Sequence, residues 1–510
     1  VSYSIRLFLK NALLALEKGF DAAFGPLWNP WRQLGTLSFF FYWVAAVSGI
    51  YIYILFDTSV NGAFESVERL THQHWYISGL MRSFHRYASD AMVVTTILHL
   101  SREFLLDRYR DVCWYAWFTG VPLLWFLFMS GISGYWLVWD TLAQYIAVTS
   151  MHWLDWLGIF GKPVAANFLT RGSLTDRFFT LLVFIHIFVP LFLLFLMWVH
   201  LMRVHQAKFN PPRGLALGAL TMLVVLSVIA PAVSHARADL GTLPTILSLD
   251  WFYLVGYPLF DAWGAGPMWL LAVGSSVVLC ALPWLPPRRQ RVVPAEVHFE
   301  MCSGCTRCSE DCPFSAVTMV PRTDGRAFAL QAQVDPVLCS GCGMCLGACP
   351  ASQPFRKASV LVTGIDRPDL PLTELRHRVL EALKGTPRIL VFGCSHGADP
   401  AGVASADVAW IALPCIGMLP LSFVDFVLSR WEVQGVLLTG CRRNDCFHRW
   451  GDHWTEARLA GLREPHLRAR VPRERVRTFW GAESDGAALR AALADFLREQ
   501  ALASRGRGEG

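Results

Sequence analysis

The chain has 510 residues, enough for several domains. Apolar residues make up 54% and charged residues only 16%, with a mean hydropathy of +0.38. That balance excludes an ordinary soluble protein and points to a membrane protein. The net charge of +6 is modest, and no nucleic-acid partner is expected.

The start, VSYSIRLFLKNALLALEKGF, is amphipathic and mildly basic. It reads as an interfacial helix and not as a secretory leader. Apolar runs long enough to span a bilayer follow at 34–56, 83–105, 114–137, 178–202, 214–234 and 265–285. Six membrane helices are therefore expected. Arg6, Lys10, Lys18 and Arg32 precede the first; Arg102, Arg108 and Arg110 follow the second; Arg203, Lys208 and Arg213 follow the fourth. The alternate loops carry Asp57, Glu65, Glu68, Asp140, Asp155 and Asp239. Both termini should thus be cytoplasmic.

From about residue 295 the composition turns soluble. Twelve of the fourteen cysteines lie between Cys302 and Cys446, and only Cys113 and Cys280 lie in the apolar half. Such clustering reads as metal ligation in a reducing compartment, not as disulfides. Beyond 387, short apolar runs end in cysteine (RILVFGC, VAWIALPC, GVLLTGC), with helical patterns between them. That is an α/β module whose loops gather at the strand C-terminal ends. GAALRAALADFLREQ reads as a closing amphipathic helix.

The second and fourth apolar runs each carry two histidines fourteen residues apart, His85 with His99 and His186 with His200. Fourteen residues of helix rise about 21 Å and return close to the same face. Both helices run in the same direction, so His85 can face His186 and His99 can face His200. Imidazole pairs from two helices are axial ligands for haem iron. Gly35 and Gly49, and Gly120 with Gly134, repeat the spacing on the first and third runs. Glycine there leaves space for a flat porphyrin edge.

These residues resemble the cytochrome b of cytochrome bc-type complexes, over about 28–285. The resemblance implies that Arg82 and Arg102 help hold haem propionates. It matches His205 to a histidine of the inner quinone-reduction site. It matches Leu249, Asp250, Trp251 and Phe252 to the Pro-Glu-Trp-Tyr loop of the outer quinol-oxidation site. Asp250 keeps a carboxylate able to accept a quinol proton, while the proline and tyrosine are lost. The family also carries the expectation of a homodimer.

CSGCTRCSEDCP (302–313) and CSGCGMCLGACP (339–350) both have the form C-x2-C-x2-C-x3-C-P. In two-cluster ferredoxins the fourth cysteine of each run ligates the other cluster. Cys302, Cys305, Cys308 and Cys349 are assigned to one 4Fe–4S cluster, and Cys339, Cys342, Cys345 and Cys312 to the other. Cys394, Cys415, Cys441 and Cys446 remain. Their spacing suits an iron–sulfur cluster or zinc. Their segment, about 387–498, resembles the iron–sulfur (delta) subunit of methyl-viologen-reducing hydrogenases, which implies a 2Fe–2S cluster on these four. Against that family Met418 replaces a common arginine and Asn444 a common glycine. His396, His448 and His453 read as solvated loop residues.

The expected fold is a membrane all-α six-helix cytochrome b bundle (1–290), then an α+β two-cluster ferredoxin domain (291–365) and an α/β iron–sulfur domain (370–510). The cofactors expected are two b-type haems, two 4Fe–4S clusters and one 2Fe–2S cluster, with quinone as substrate. No flavin or nicotinamide fingerprint is present, so hydride chemistry should belong to a cytoplasmic flavin-containing oxidoreductase subunit. The chain reads as the quinone-linked membrane subunit of such a complex in a bacterial or archaeal inner membrane, with electron bifurcation at the outer site as an extension. The alternatives are a haem-containing anchor and electron conduit with one inner quinone site, and transmembrane ferric or superoxide reduction.

Overall fold

A computed structural model describes residues 2–170, 172–204, 207–242, 246–250, 252–286 and 292–505. His205 and Trp251 lie outside the described residues. The chain forms two compact units, one of residues 28–202 and 207–287, the other of 1–27, 203–206 and 288–510.

The N-terminal helix α1 (Ser2–Phe24) falls in the second of these units. The all-helical unit then runs α2 (Leu34–Leu55), α3 (Gly62–His72), α4 (Leu80–Leu105), α5 (Trp114–Val138), α6 (Thr141–Asp155), α7 (Val164–Phe168), α8 (Asp176–Leu201), α9 (Arg213–Ile229), α10 (Gly256–Trp263) and α11 (Ala265–Ala281). Among the described residues, four helical stretches are long and apolar enough to cross a membrane: Leu34–Leu55, Asp111–Val138, Asp176–Leu201 and Ala265–Trp284. α9 is apolar but shorter. α4 has 26 residues, about 39 Å of helix, but spends polarity on Arg82, Arg86, Asp90, Arg102 and Glu103. α2 packs along α4 and α5 along α8. Leu37, Phe41, Met92, Val93, Leu127 and Leu193 fill the space between them. The outward faces are apolar too, with Phe184 65% and Ile229 76% exposed, as a lipid-facing surface requires.

The other unit opens with two antiparallel pairs, β1 (Glu296–Val297) with β4 (Ile365–Asp366), and β2 (Val317–Pro321) with β3 (Leu330–Val334). Short helices α12 (Arg307–Glu310) and α13 (Met344–Ala348) begin near the third cysteine of each repeat. Gly304 and Gly341 hold the same place in the two C-S-G-C turns, with φ of +64° and +61°. A Cβ on Gly304 would sit 2.3 Å from the Leu330 carbonyl oxygen, so the tight turn needs glycine. After α14 (Leu372–Lys384) comes a four-stranded parallel sheet of β5 (Ile389–Cys394), β6 (Val408–Leu413), β7 (Gly435–Gly440) and β8 (Val476–Trp480), in the order β6-β5-β7-β8. α15 (Ser422–Arg430), α16 (Gly451–Leu459) and α17 (Gly486–Arg505) complete it. The chain crosses from one side of β5 to the other between β6 and β7. That crossover opens a crevice at the strand C-terminal edge, where Cys394, Cys415 and Cys441 arrive.

α1 differs from a purely interfacial reading. Leu13, Leu14 and Glu17 are buried, and Glu17 lies 3.8 Å from Arg442. Lys18 reaches Asp485 at 3.7 Å. One face of α1 therefore seats on the last sheet module, while Phe8 and Phe24 stay exposed.

Candidate redox sites

His85 and His186 face each other across α4 and α8, with ring centroids 6.1 Å apart and planes at 72°. Two metal–imidazole bonds of about 2 Å each, plus the reach from each nitrogen to its ring centre, sum to about 6 Å. The separation thus fits one iron between the rings. The tautomers follow from the hydrogen-bond network. His85 Nδ1 donates to the Ala45 carbonyl at 2.8 Å. The Ser133 hydroxyl gives its proton to Ser130 O, so its oxygen accepts from His186 Nδ1 at 3.0 Å. Thr119 likewise donates to Tyr115 O and faces His200 Nδ1 at 3.2 Å. In all three rings the proton sits on Nδ1 and Nε2 is left bare for metal. His99 Nδ1 is 3.9 Å from Glu103 Oε1.

Each expected glycine abuts one histidine. A Cβ would lie 2.8 Å from His85 Cε1 at Gly49, 2.9 Å from His186 Cε1 at Gly134, 3.3 Å from His200 Cε1 at Gly120 and 3.5 Å from His99 Cε1 at Gly35. The glycines make room for the imidazole edges on the neighbouring helices. Arg82 is buried, donates to Ser234 Oγ at 2.8 Å and to Thr71, and lies 3.7 Å from Glu68. Arg102 is buried with Glu103 at 3.3 Å.

The cysteines gather in three places. Cys302, Cys305, Cys308 and Cys349 line one pocket. Burial, and then the thiols of Cys349, Cys305 and Cys302, push the Cys308 thiol up to about 12. Cys342 and Cys345 lie with Cys339 and Cys312, and burial pushes Cys342 up to about 12. The structure therefore brings the fourth cysteine of each repeat to the other repeat's first three. Ala316 N–H donates to Cys312 Sγ at 3.2 Å and Ala295 N–H to Cys339 Sγ at 3.4 Å, bonds that stabilise thiolates.

At the sheet crevice, Cys394 contacts Cys415 and Cys441, and both of these contact Cys446. All four are buried. Gly451 closes over them, since a Cβ there would be 2.3 Å from Cys415 Sγ. Among the described residues, no group of three or more His, Cys, Asp or Glu side chains is drawn tightly enough to clasp a single ion.

Three family models match the chain. Residues 21–208 match the family model "Cytochrome b/b6/petB". Residues 301–352 match "4Fe-4S dicluster domain", and 389–502 match "Methyl-viologen-reducing hydrogenase, delta subunit". The membrane half is cytochrome b-like, and a 4Fe–4S dicluster segment and a hydrogenase delta subunit-like segment follow it. Similar curated proteins include the cytochrome b of Rickettsia prowazekii (strain Madrid E), 23% identical, covering 52% of this chain and 72% of that one. The cytochrome b of Rhodospirillum rubrum is 22% identical over the same shares, 52% and 72%. A solved "Hyperthermophilic respiratory Complex III" covers 49% of this chain and 74% of its own, at 18% identity and a TM-score of 0.42. Cytochrome b implies b-type haem, and a dicluster segment implies 4Fe–4S clusters.

Three features of this cytochrome b-like chain escape sequence reasoning. Asp250 is pinned by three donors: Arg86 at 2.5 Å, Tyr135 at 2.7 Å and its own loop's Phe252 N–H at 2.6 Å. His448, expected as solvated, is buried, because its loop folds back under His396, which stacks on Phe447 at 3.8 Å. Asp311, between Cys308 and Cys312, forms a buried ion pair with Arg458 and lies 2.8 Å from Arg463. Burial raises the Asp311 carboxyl despite these two arginines. Asn444, which stands where glycine is common, has φ of +60°, a left-handed conformation asparagine tolerates.

Proposed function

We propose that the chain is the membrane subunit of a quinone/quinol oxidoreductase complex. It carries electrons between a membrane quinone pool and a cytoplasmic flavin-containing partner. When bound, two b-type haems, two 4Fe–4S clusters and a 2Fe–2S cluster supply one-electron transfer. The reading includes six membrane helices, cytoplasmic termini and a bacterial or archaeal inner membrane. It divides the chain at about 290 and 365–370, and includes a homodimer and a quinol site open to bifurcation. The observation that carries it is the facing pair His85 and His186, with Nε2 bare on both, in the same chain as three gathered cysteine sets.

The chain's own residues divide the work. His85 with His186, and His99 with His200, hold iron, with Arg82 and Arg102 toward the propionates. Cys302, Cys305, Cys308 and Cys349 hold one cubane, and Cys339, Cys342, Cys345 and Cys312 the other. Cys394, Cys415, Cys441 and Cys446 hold the last cluster. Asp250 with Trp251 serves the outer quinol site and His205 the inner one. Asp250→Asn should slow quinol oxidation and leave the haem spectrum unchanged; normal turnover would remove Asp250 from the chemistry.

A second reading is an anchor and conduit with one inner quinone site. The three donors on Asp250 favour it, since they also describe a loop latch. A quinone analogue found beside Asp250 would decide for the first reading.

A further inference from the structure

Arg86 follows His85 on α4 and stands between two carboxylates. Its Nη2 is 2.5 Å from Asp250 Oδ2, and its Nη1 is 3.2 Å from Asp90 Oδ1. Asp90 lies one helical turn beyond Arg86, whereas Asp250 comes from the loop before α10. One guanidinium therefore faces two carboxyl groups. It balances only one of their negative charges, so the pair favours taking up a proton.

The surroundings shape this into a path. Tyr135 of α5 donates to Asp250 and lies under the Arg86 guanidinium at 4.7 Å. Tyr253, on the Asp250 loop, bonds Ser89 at 2.6 Å, and Tyr87 shares the Asp90 helix. α9, packed against α4, carries no ionisable side chain beyond Arg213 at its far end. Asp250 accepts three hydrogen bonds, two on Oδ2 and one on Oδ1, while Asp90 Oδ1 accepts none. A carboxylate held by an arginine and a phenol is a weak base by itself. A second carboxyl behind it gives an incoming proton somewhere to go.

We propose that Asp90 is a second proton acceptor behind Asp250, and that Arg86 joins the two into a relay that takes the proton from an oxidised quinol. The inference rests on the outer quinol site proposed above. In the step, the quinol O–H bond breaks. Its proton enters the carboxyl pair, one electron would pass to the b-type haem that His85 and His186 would hold, and the quinol is left as a neutral semiquinone. The pair then gives that proton up to water. Intramembrane carboxylates of this kind stand on proton paths.

The test uses the full haem-loaded chain in nanodiscs. Haem reduction by decylubiquinol and by a short-chain menaquinol is followed by stopped flow across pH 5.5–9. Asp90→Asn keeps the size of the side chain but cannot accept the proton. It should slow haem reduction at least about tenfold, within the usual range for a proton-transfer group, and flatten the pH profile. The haem spectrum should not change. Asp90→Glu should restore the rate and shift the profile along the pH axis. Wild-type rate and profile in Asp90→Asn would overturn the relay. Slow Asp250→Asn beside normal Asp90→Asn removes the relay and keeps the quinol site, whereas normal rates in both remove the site itself. Should Asp90→Asn fail to load haem, an unshifted profile in Asp90→Glu would overturn the proposal.

Discussion

Alanine at the four glycines should have graded effects on the two haem sites. Ordinary van der Waals contact of a Cβ begins at 3.4 Å. At Gly49 the new Cβ would sit 2.8 Å from His85 Cε1, so the imidazole must retreat by about 0.6 Å; at Gly134 the shortfall against His186 is about 0.5 Å. At Gly120 it is about 0.1 Å, and at Gly35 the contact of 3.5 Å is already ordinary. Functional constellations tolerate about 0.5 Å of misplacement. Gly49→Ala and Gly134→Ala should therefore lose or distort the haem of His85 and His186 and leave that of His99 and His200. Gly35→Ala and Gly120→Ala should keep both. Haem content by pyridine haemochrome, with low-spin EPR to separate the two haems, measures this. Two intact haems in Gly49→Ala, or equal losses at Gly35 and Gly49, would refute the steric argument.

Other outcomes follow from the soluble unit. Arg458→Gln leaves the Asp311 carboxylate buried with only Arg463, and should destabilise the cluster modules by about 3 kcal/mol, the low end for a broken buried pair. Thermal loss of iron–sulfur absorbance reads this, and an unchanged midpoint would contradict it. Cys415→Ser should remove one cluster's EPR signal and spare the dicluster; loss of all signals would mean the sets are not separate. Cys308 and Cys342 are pushed up to about 12, so at neutral pH these thiols are protonated in the apo chain. Cluster loading must then release protons, and it should weaken as pH falls. A pH-stat during anaerobic reconstitution would show base uptake, and no uptake would count against thiolate ligation.

Much of the frame was legible in sequence because its signals are periodic or local. The apolar runs, the fourteen-residue pairs and the doubled cysteine repeat each declare themselves within one short segment. α4 was the hard case among the helices, since Arg82, Arg86, Asp90 and Arg102 dilute its hydropathy. What stayed hidden joins distant residues. Arg86 meets Asp250 across 164 positions and Arg458 meets Asp311 across 147. No period links such partners, and a lone arginine or aspartate reads as a solvated charge until packing places it. α1 misled in a similar way. Its amphipathic pattern shows an apolar face, but not that Glu17 turns inward to Arg442. His448 looked polar and loop-borne, and only the fold of its own loop buries it.

The central claim is that haems and clusters lie in series within one chain. It is tested most directly in proteoliposomes holding the full chain and an oxidised quinone, with reduced methyl viologen added outside. Viologen oxidation should proceed in the wild type, and should stop in His99→Leu and in Cys342→Ser taken separately. A wild-type rate in either variant would contradict a single path.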